Sequence, residues 1–502
     1  MIEVGEHART AAGAPRGAIR NSTAPATWVV VVAITAVAVL ARAVFVGDQS
    51  LGYEEVFTLQ IARQPGLSAV WHAVKSTEST PPLYYVLTWL WLKLAASQSA
   101  TALRMTSLLA GVLTVPAAFL AVRRFMDTRL AVVAAWLCAI SPVLVSYAIY
   151  ARAYALLVLA ATLSVWALGA LLERPSWPRW LLWGLAVAVC LWTHYFAAFL
   201  VAGEVVVLFV KLQNARRALL VCLAAVAAAT APLWSLFLSQ SDASERTSYI
   251  AAEPLGGRLE GVVRQFAMGT NVPAAWLEGA GIAVVGCAVL FAVLASHRQA
   301  PIRALAAVAV IGAGLPILSA ITGIDDKLLA RNLLGLWICV AALAAYGLVR
   351  LRGLPLVAYS VICITTVIAV QSNWRYQAAA DWSGASARVE ARAHGMPIAV
   401  EPGLELAVAG LYTHREPLSS PVATTNLWVI VQPVRGAGER ALNPVANPPL
   451  AALWGDQFSP VAEIDYRGFR LIHLQSGSPV LVPPAPASNG SPAAPLALVL
   501  AP

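Results

Sequence analysis

The chain has 502 residues and a formal net charge of +9, with 59% hydrophobic and only 12% charged residues, and its mean hydropathy is +0.71. Water-soluble domains carry about 25% charged residues, so this composition excludes an ordinary soluble protein. The positive charge does not form a nucleic-acid-binding face either. It sits in short connections between apolar runs, the distribution that orients membrane helices.

A polar tail over 1–26 precedes the first run, TWVVVVAITAVAVLARAVFV, which has no small-residue cleavage signal behind it and reads as a retained helix. Runs near 20 apolar residues then recur, each long enough to cross a hydrocarbon core of about 30 Å. They predict about 11 transmembrane helices, at 27–46, 103–121, 130–147, 153–171, 180–193, 195–210, 218–237, 276–295, 303–321, 332–349 and 354–371. With the N-terminus cytoplasmic, the inner connections hold Arg123, Arg124 and Arg129, then Arg174 and Arg179, then Lys211, Arg216 and Arg217, then Arg298 and Arg303, then Arg350 and Arg352. The outer connections hold Asp48, Glu54, Glu55 and Glu78, then Asp242, Glu245 and Glu253, then Asp325 and Asp326.

This register requires that 83–96, LYYVLTWLWLKLAA, does not span. It is short, follows Pro81-Pro82 and carries Lys93, so it reads as a helix lying on the outer face. The first outer loop, 47–102, is then long, structured and partly amphipathic. After 371 the composition changes. Residues 372–475 predict a small extracytoplasmic α/β domain, with a strand at LWVIVQPV and a hairpin turn at Arg467-Gly468. From 476 the chain is Pro- and Ala-rich and reads as a disordered tail. The six cysteines lie inside apolar runs without metal-ligand or disulfide spacing.

Polar residues collect at the outer helix ends: the first-loop carboxylates, Tyr147, Tyr150, Arg152 and Tyr154, then His194 and Tyr195, then Asp325, Asp326, Lys327, Arg331 and Asn332. Arginines hold phosphate oxygens bidentately, and a carboxylate beside a hydroxyl can take its proton. That combination suits group transfer from a lipid phosphate to an acceptor hydroxyl.

The ordered set YEEVFTLQIAR, TESTPPLYYVLTWLWLKL and ALRMTSLLAG, followed by YARAY, THYF and ARNLL, resembles the polyprenyl-phosphate-sugar-dependent glycosyltransferases of the GT-C fold class. These include the protein O-mannosyltransferases and the aminoarabinose transferases that modify lipid A. The resemblance runs over roughly 27–350. It implies a GT-C-like, all-α polytopic bundle with outer juxtamembrane helices, to which the about 11 transmembrane helices and the small C-terminal α/β domain read above belong. It also implies inverting transfer of a sugar from a polyprenyl-phosphate carrier to a protein, lipid or polysaccharide acceptor, in a bacterial plasma membrane. By position, Glu54 or Glu55 is the implied general base. Glu78, Tyr84, Tyr150 and His194 position donor or acceptor, and Arg152, Lys327 and Arg331 hold the carrier phosphate. No cofactor is implied, and a divalent ion on Asp325 and Asp326 stays an open alternative. Two departures stand out: Tyr150 replaces the family's glutamate, and Glu54 the commoner aspartate. A transporter or flippase of lipid-linked sugars, and a non-catalytic subunit of the same fold, are the other classes left open.

Overall fold

A long apolar segment in a bilayer must satisfy its own backbone, and the helix does this internally. The computed structural model describes residues 25–241, 250, 253–323, 326–351, 353–377, 379–434, 441–444, 457–483 and 498–501. All eleven expected segments are helical within it. Nearly all of the expected 1–26 tail lies outside the described residues, as do Asp242, Glu245, Asp325 and Arg352.

In chain order the helices are α1 (Pro25–Ala43), α2 (Tyr53–Ala62), α3 (Leu67–Thr77), α4 (Leu83–Ala95), α5 (Ala100–Val122), α6 (Thr128–Ile140), α7 (Pro142–Ala148), α8 (Tyr154–Glu173), α9 (Trp177–Thr193), α10 (Ala197–Lys211) and α11 (Arg216–Ser241). They continue with α12 (Leu255–Met268), α13 (Ala275–Ala295), α14 (Ala300–Thr322), α15 (Trp337–Arg350) and α16 (Leu354–Ser372), with a 3₁₀ segment at Ala330–Leu336 leading into α15. Eight of the described helices are long and apolar enough to cross a membrane, and the bent pair α6–α7 makes a ninth. The expected spans 180–193 and 195–210 correspond to α9 and α10, which have 17 and 15 residues.

The segment expected as one span at 130–147 is broken by 56° between α6 and α7. Pro142 has no N–H to give the Cys138 carbonyl four residues back. Ser141 caps the new start by accepting from Leu144 N. The freed acceptors are met from α1: the buried Arg42 guanidinium donates to the carbonyls of Ala139 and Cys138, each at 2.9 Å. Gly111 lets α5 approach α7 closely, since a Cβ there would fall 2.5 Å from the Ala148 Cβ. The C-terminal end of α7 at Ala148 runs directly into the loop that carries Tyr150 and Arg152.

The spans are less uniformly apolar than they read. Glu204 in α10 is wholly buried, and its Oε2 accepts from Ser164 at 2.7 Å and from Trp183 at 2.8 Å.

The first loop folds as α2, α3 and α4. Helix α4 buries Tyr84, Tyr85, Thr88 and Leu92 and packs on α2 and α5. At the same end of the bundle sits the C-terminal domain, with α17 (Trp382–Ala393), β1 (Ile398–Glu401), α18 (Leu406–Thr413), β2 (Val422–Val431), β3 (Ser459–Tyr466), β4 (Phe469–Val482) and β5 (Leu498–Leu500). The sheet order is β3-β4-β2-β1-β5, with β1 parallel to β2 and the other pairs antiparallel. Arg467 and Gly468 turn the β3–β4 hairpin with φ of 46° and 85°, the left-handed pair that a two-residue hairpin turn needs.

The structure differs from the expected tail at 476. β4 continues to Val482, and Leu498–Leu500 returns to pair with β1. The three apolar residues LVL supply the far edge of the sheet, where Leu500 is fully buried. Trp382 packs edge-on to Phe469 with centroids 5.1 Å apart. One apolar core joins the domain to the bundle end: Leu51, Val56, Leu59 and Leu103 share it with Trp382, Leu406 and Ile430.

Candidate active site

Successive helical residues point about 100° apart, so two adjacent glutamates on α2 cannot do the same work. Glu55 turns inward and is 1% exposed. Its carboxylate accepts from Arg104 Nε at 2.8 Å and Nη2 at 2.7 Å, from the Ala151 N–H at 2.8 Å and from the Gly52 N–H at 3.1 Å. Arg104 is in turn spent on the carbonyls of Val46, Gln49 and Ser50 at 2.9, 2.9 and 3.0 Å. Glu55 therefore fastens the start of α2, the preceding loop and the Tyr150–Arg152 loop to one another.

Glu54 points the other way and keeps 30% of its side chain exposed. Its Oε1 accepts from Arg331 Nη1 at 3.1 Å, and its Oε2 from the Tyr150 hydroxyl at 3.2 Å, with Arg152 Nε 3.5 Å away. Burial alone would raise this carboxyl. Arg152, Arg331 and the Tyr150 hydroxyl outweigh it, and its pKa lies below the ordinary value of 4.5. Tyr150 is pushed well above the usual phenol range by burial and by the charge of Glu54, so it remains a hydrogen-bond donor.

Arg152 is held by Glu78, whose Oε1 accepts from Nη1 at 2.7 Å, and it lies 5.9 Å from the centroid of the Tyr85 ring. Glu78 and Glu54 hold this guanidinium charged against the cost of its burial. Tyr84 sits one layer behind. Its hydroxyl meets Ser107 at 2.7 Å, and Ser107 donates to the Arg152 carbonyl at 3.2 Å.

His194 caps the end of α9, is 2% exposed, and accepts the Phe196 N–H on Nδ1 at 3.3 Å. Burial, aided by Arg331 and Arg152, pushes its pKa down to about 3. It is a neutral ring beside the cluster.

Lys327 lies on the short segment before the 3₁₀ turn of Arg331, and its carbonyl accepts from Asn332 at 2.7 Å. Asp326 of that segment is taken by an ion pair with Arg258 of α12, whose Nη2 reaches Oδ2 at 2.6 Å. That hydrogen bond holds Asp326 below its usual range. Among the described residues no group of three or more His, Cys, Asp or Glu gathers as a metal site, and Asp325, the other half of the open divalent-ion alternative, lies outside them.

The folded chain thus brings Glu54, Glu78, Tyr150, Arg152, His194 and Arg331 to one place at the end of the bundle that carries the α/β domain. Arg104, Ser107, Tyr85 and Arg258 were not singled out from the sequence. Arg104 had a signal, being a guanidinium inside the span expected at 103–121, since a charge there needs a buried partner.

Residues 79–235 match the family model of the dolichyl-phosphate-mannose-protein mannosyltransferases. Among solved structures, the chain is similar to ArnT from Cupriavidus metallidurans in the apo state. The identity is 13% over 89% of this chain and 98% of that one, with a TM-score of 0.58. It is also similar to the same protein bound to undecaprenyl phosphate, at 12% identity over 91% and 99% of the two chains, with a TM-score of 0.57. Comparison with curated proteins finds no match. At such identity the likeness is one of fold: the chain has the GT-C fold, as the resemblance read from its motifs implies.

Proposed function

We propose that the chain is a membrane glycosyltransferase that moves a sugar from a polyprenyl-phosphate carrier to an acceptor hydroxyl on the extracytoplasmic face, with inversion. The observation that carries this is Glu54, a partly exposed carboxylate between two guanidiniums at a helix-bundle end. The polyprenyl phosphate in the related-fold structure supports a lipid phosphate as the donor's carrier. The Lys/Arg-rich connections at the opposite helix ends support the sidedness.

Glu54 takes the proton of the acceptor hydroxyl as its oxygen attacks the anomeric carbon. The bond from that carbon to the phosphate oxygen breaks, and the electron pair leaves with polyprenyl phosphate. Arg152 and Arg331, with Lys327 close in sequence, take up the phosphate charge. Arg331 is shared: when the donor phosphate claims it, Glu54 loses a charge that depresses its basicity and becomes a better base. Tyr150, standing where the family has a carboxylate, donates to Glu54 instead of repelling it, and Glu55 with Arg104 keeps the loop in register. His194 and Tyr84 act as neutral supports around donor and acceptor.

Membranes containing the protein, supplied with radiolabelled polyprenyl-phosphate sugars, test the reading. Transfer to an endogenous acceptor that is lost in Glu54→Gln at equal expression supports it; transfer unaffected by that change refutes the base assignment. The labelled product identifies sugar and acceptor.

A further inference from the structure

We infer that the C-terminal α/β domain holds the general base in place through Tyr412 and Asp381, which act as positioning residues for transfer; this rests on Glu54 being the base. Residues 50–52 lead directly into α2, with Gly52 at its N-cap and Glu54 two residues on. From the domain side, the Tyr412 hydroxyl accepts the Leu51 N–H at 2.7 Å. The Ser383 N–H donates to Ser50 Oγ at 3.0 Å, and that hydroxyl donates to Asp381 Oδ1 at 3.5 Å. Asp381 is itself fixed by the sheet: its Oδ2 accepts from Tyr466 at 2.6 Å and from Arg467 at 2.7 Å, and its Oδ1 from the Gly384 N–H at 3.1 Å.

From the bundle side, Arg104 donates to the Ser50 carbonyl at 3.0 Å and to Glu55. Residues 50–52 are therefore gripped between Tyr412, Asp381 and Ser383 of the domain and the guanidinium of α5. The joint is packed against its neighbours: a Cβ on Gly52 would make ordinary contacts with Ala379 at 3.4 Å and the Tyr150 ring at 3.9 Å, and Leu51 is 3% exposed. The Tyr412 and Asp381 contacts end on the strand of chain that aims Glu54, where a displacement of about 1 Å costs about a hundredfold in rate.

The test uses the full-length protein in lipid nanodiscs, as wild type, Tyr412→Phe and Asp381→Asn. Amide hydrogen exchange is followed at residues 50–56, and kcat and KM are measured with a radiolabelled polyprenyl-phosphate sugar. In Tyr412→Phe we expect exchange at Leu51 to rise about tenfold while α5 and α8 stay protected. We expect kcat to fall about tenfold with KM for the donor within about twofold. Asp381→Asn gives the same pattern if the domain stays folded, read from protection of β2 and β4. Unchanged exchange at Leu51, or faster exchange with unchanged kcat, overturns the inference. A wild type that transfers sugar from no donor removes the transferase reading and this inference with it. A wild type that transfers, matched by Tyr412→Phe, removes the inference alone.

Discussion

Glu54 and Arg331 stand 277 positions apart in sequence and meet at 3.1 Å, carboxylate oxygen to guanidinium nitrogen. The first loop and the turn before α15 are thereby joined across the bundle end. Each of these groups is drawn from a segment whose own partners are elsewhere: Glu55 and Arg104 behind Glu54, and Asp326 and Arg258 ahead of Arg331.

The two glutamates of α2 are expected to fail differently. Glu54→Gln leaves the fold intact and lowers transfer by at least about a hundredfold, the lower end of general-base contributions. Glu55→Ala leaves the Arg104 guanidinium, 3% exposed, without its carboxylate, which costs about 3–5 kcal/mol. Thermal melting in detergent distinguishes them: a normal transition for the first, a markedly lowered one for the second.

The pH dependence follows from the sign of the Glu54 shift. Its folded pKa is depressed below 4.5, so the carboxylate is ionised above that folded value. The stability it contributes is present above pH 4.5 and is lost as the pH falls through the lower, folded value. The acid limb of kcat/KM, which reports the free enzyme, is expected below pH 4.5. The acid limb of kcat lies higher, because the bound phosphate has drawn off Arg331. Arg331→Gln is expected to move the free-enzyme limb upward.

Tyr150→Phe removes one donor from Glu54 Oε2 and no charge. The expected result is a loss of about tenfold in kcat with little change in KM, together with a small rise of the free-enzyme acid limb. Steady-state kinetics over a pH series check both.

Much of this was legible in the sequence because it is written in local patterns. The eleven helical segments announce themselves by length and apolarity, and Arg467-Gly468 by the conformations such a pair adopts. The convergence of Glu54, Glu78, Arg152 and Arg331 was legible only through ordered motifs and loop charge. Long-range pairings were not. Nothing near Arg104 names Glu55, 49 residues away, and nothing in LVL at 498–500 names β1. Helix α6–α7 read as one span because Pro142 sits in an unbroken apolar run, and prolines inside helices are not always breaks; Pro116 lies within α5.

Arg42 gives a structural check. Arg42→Met leaves the carbonyls of Cys138 and Ala139 unmet beside the α6–α7 break, at about 1–3 kcal/mol for each buried unsatisfied group. A lowered melting temperature is expected, with residual transfer reduced because α7 no longer presents the Tyr150 loop firmly.

The most direct test of the central claim is single-turnover sugar transfer from a polyprenyl-phosphate donor by purified wild type, Glu54→Gln and Glu54→Asp in the same lipid. The account predicts transfer by wild type, a loss of at least about a hundredfold in Glu54→Gln, and a partial loss in Glu54→Asp, whose shorter carboxylate still accepts a proton but sits out of place. Equal rates for wild type and Glu54→Gln would contradict it.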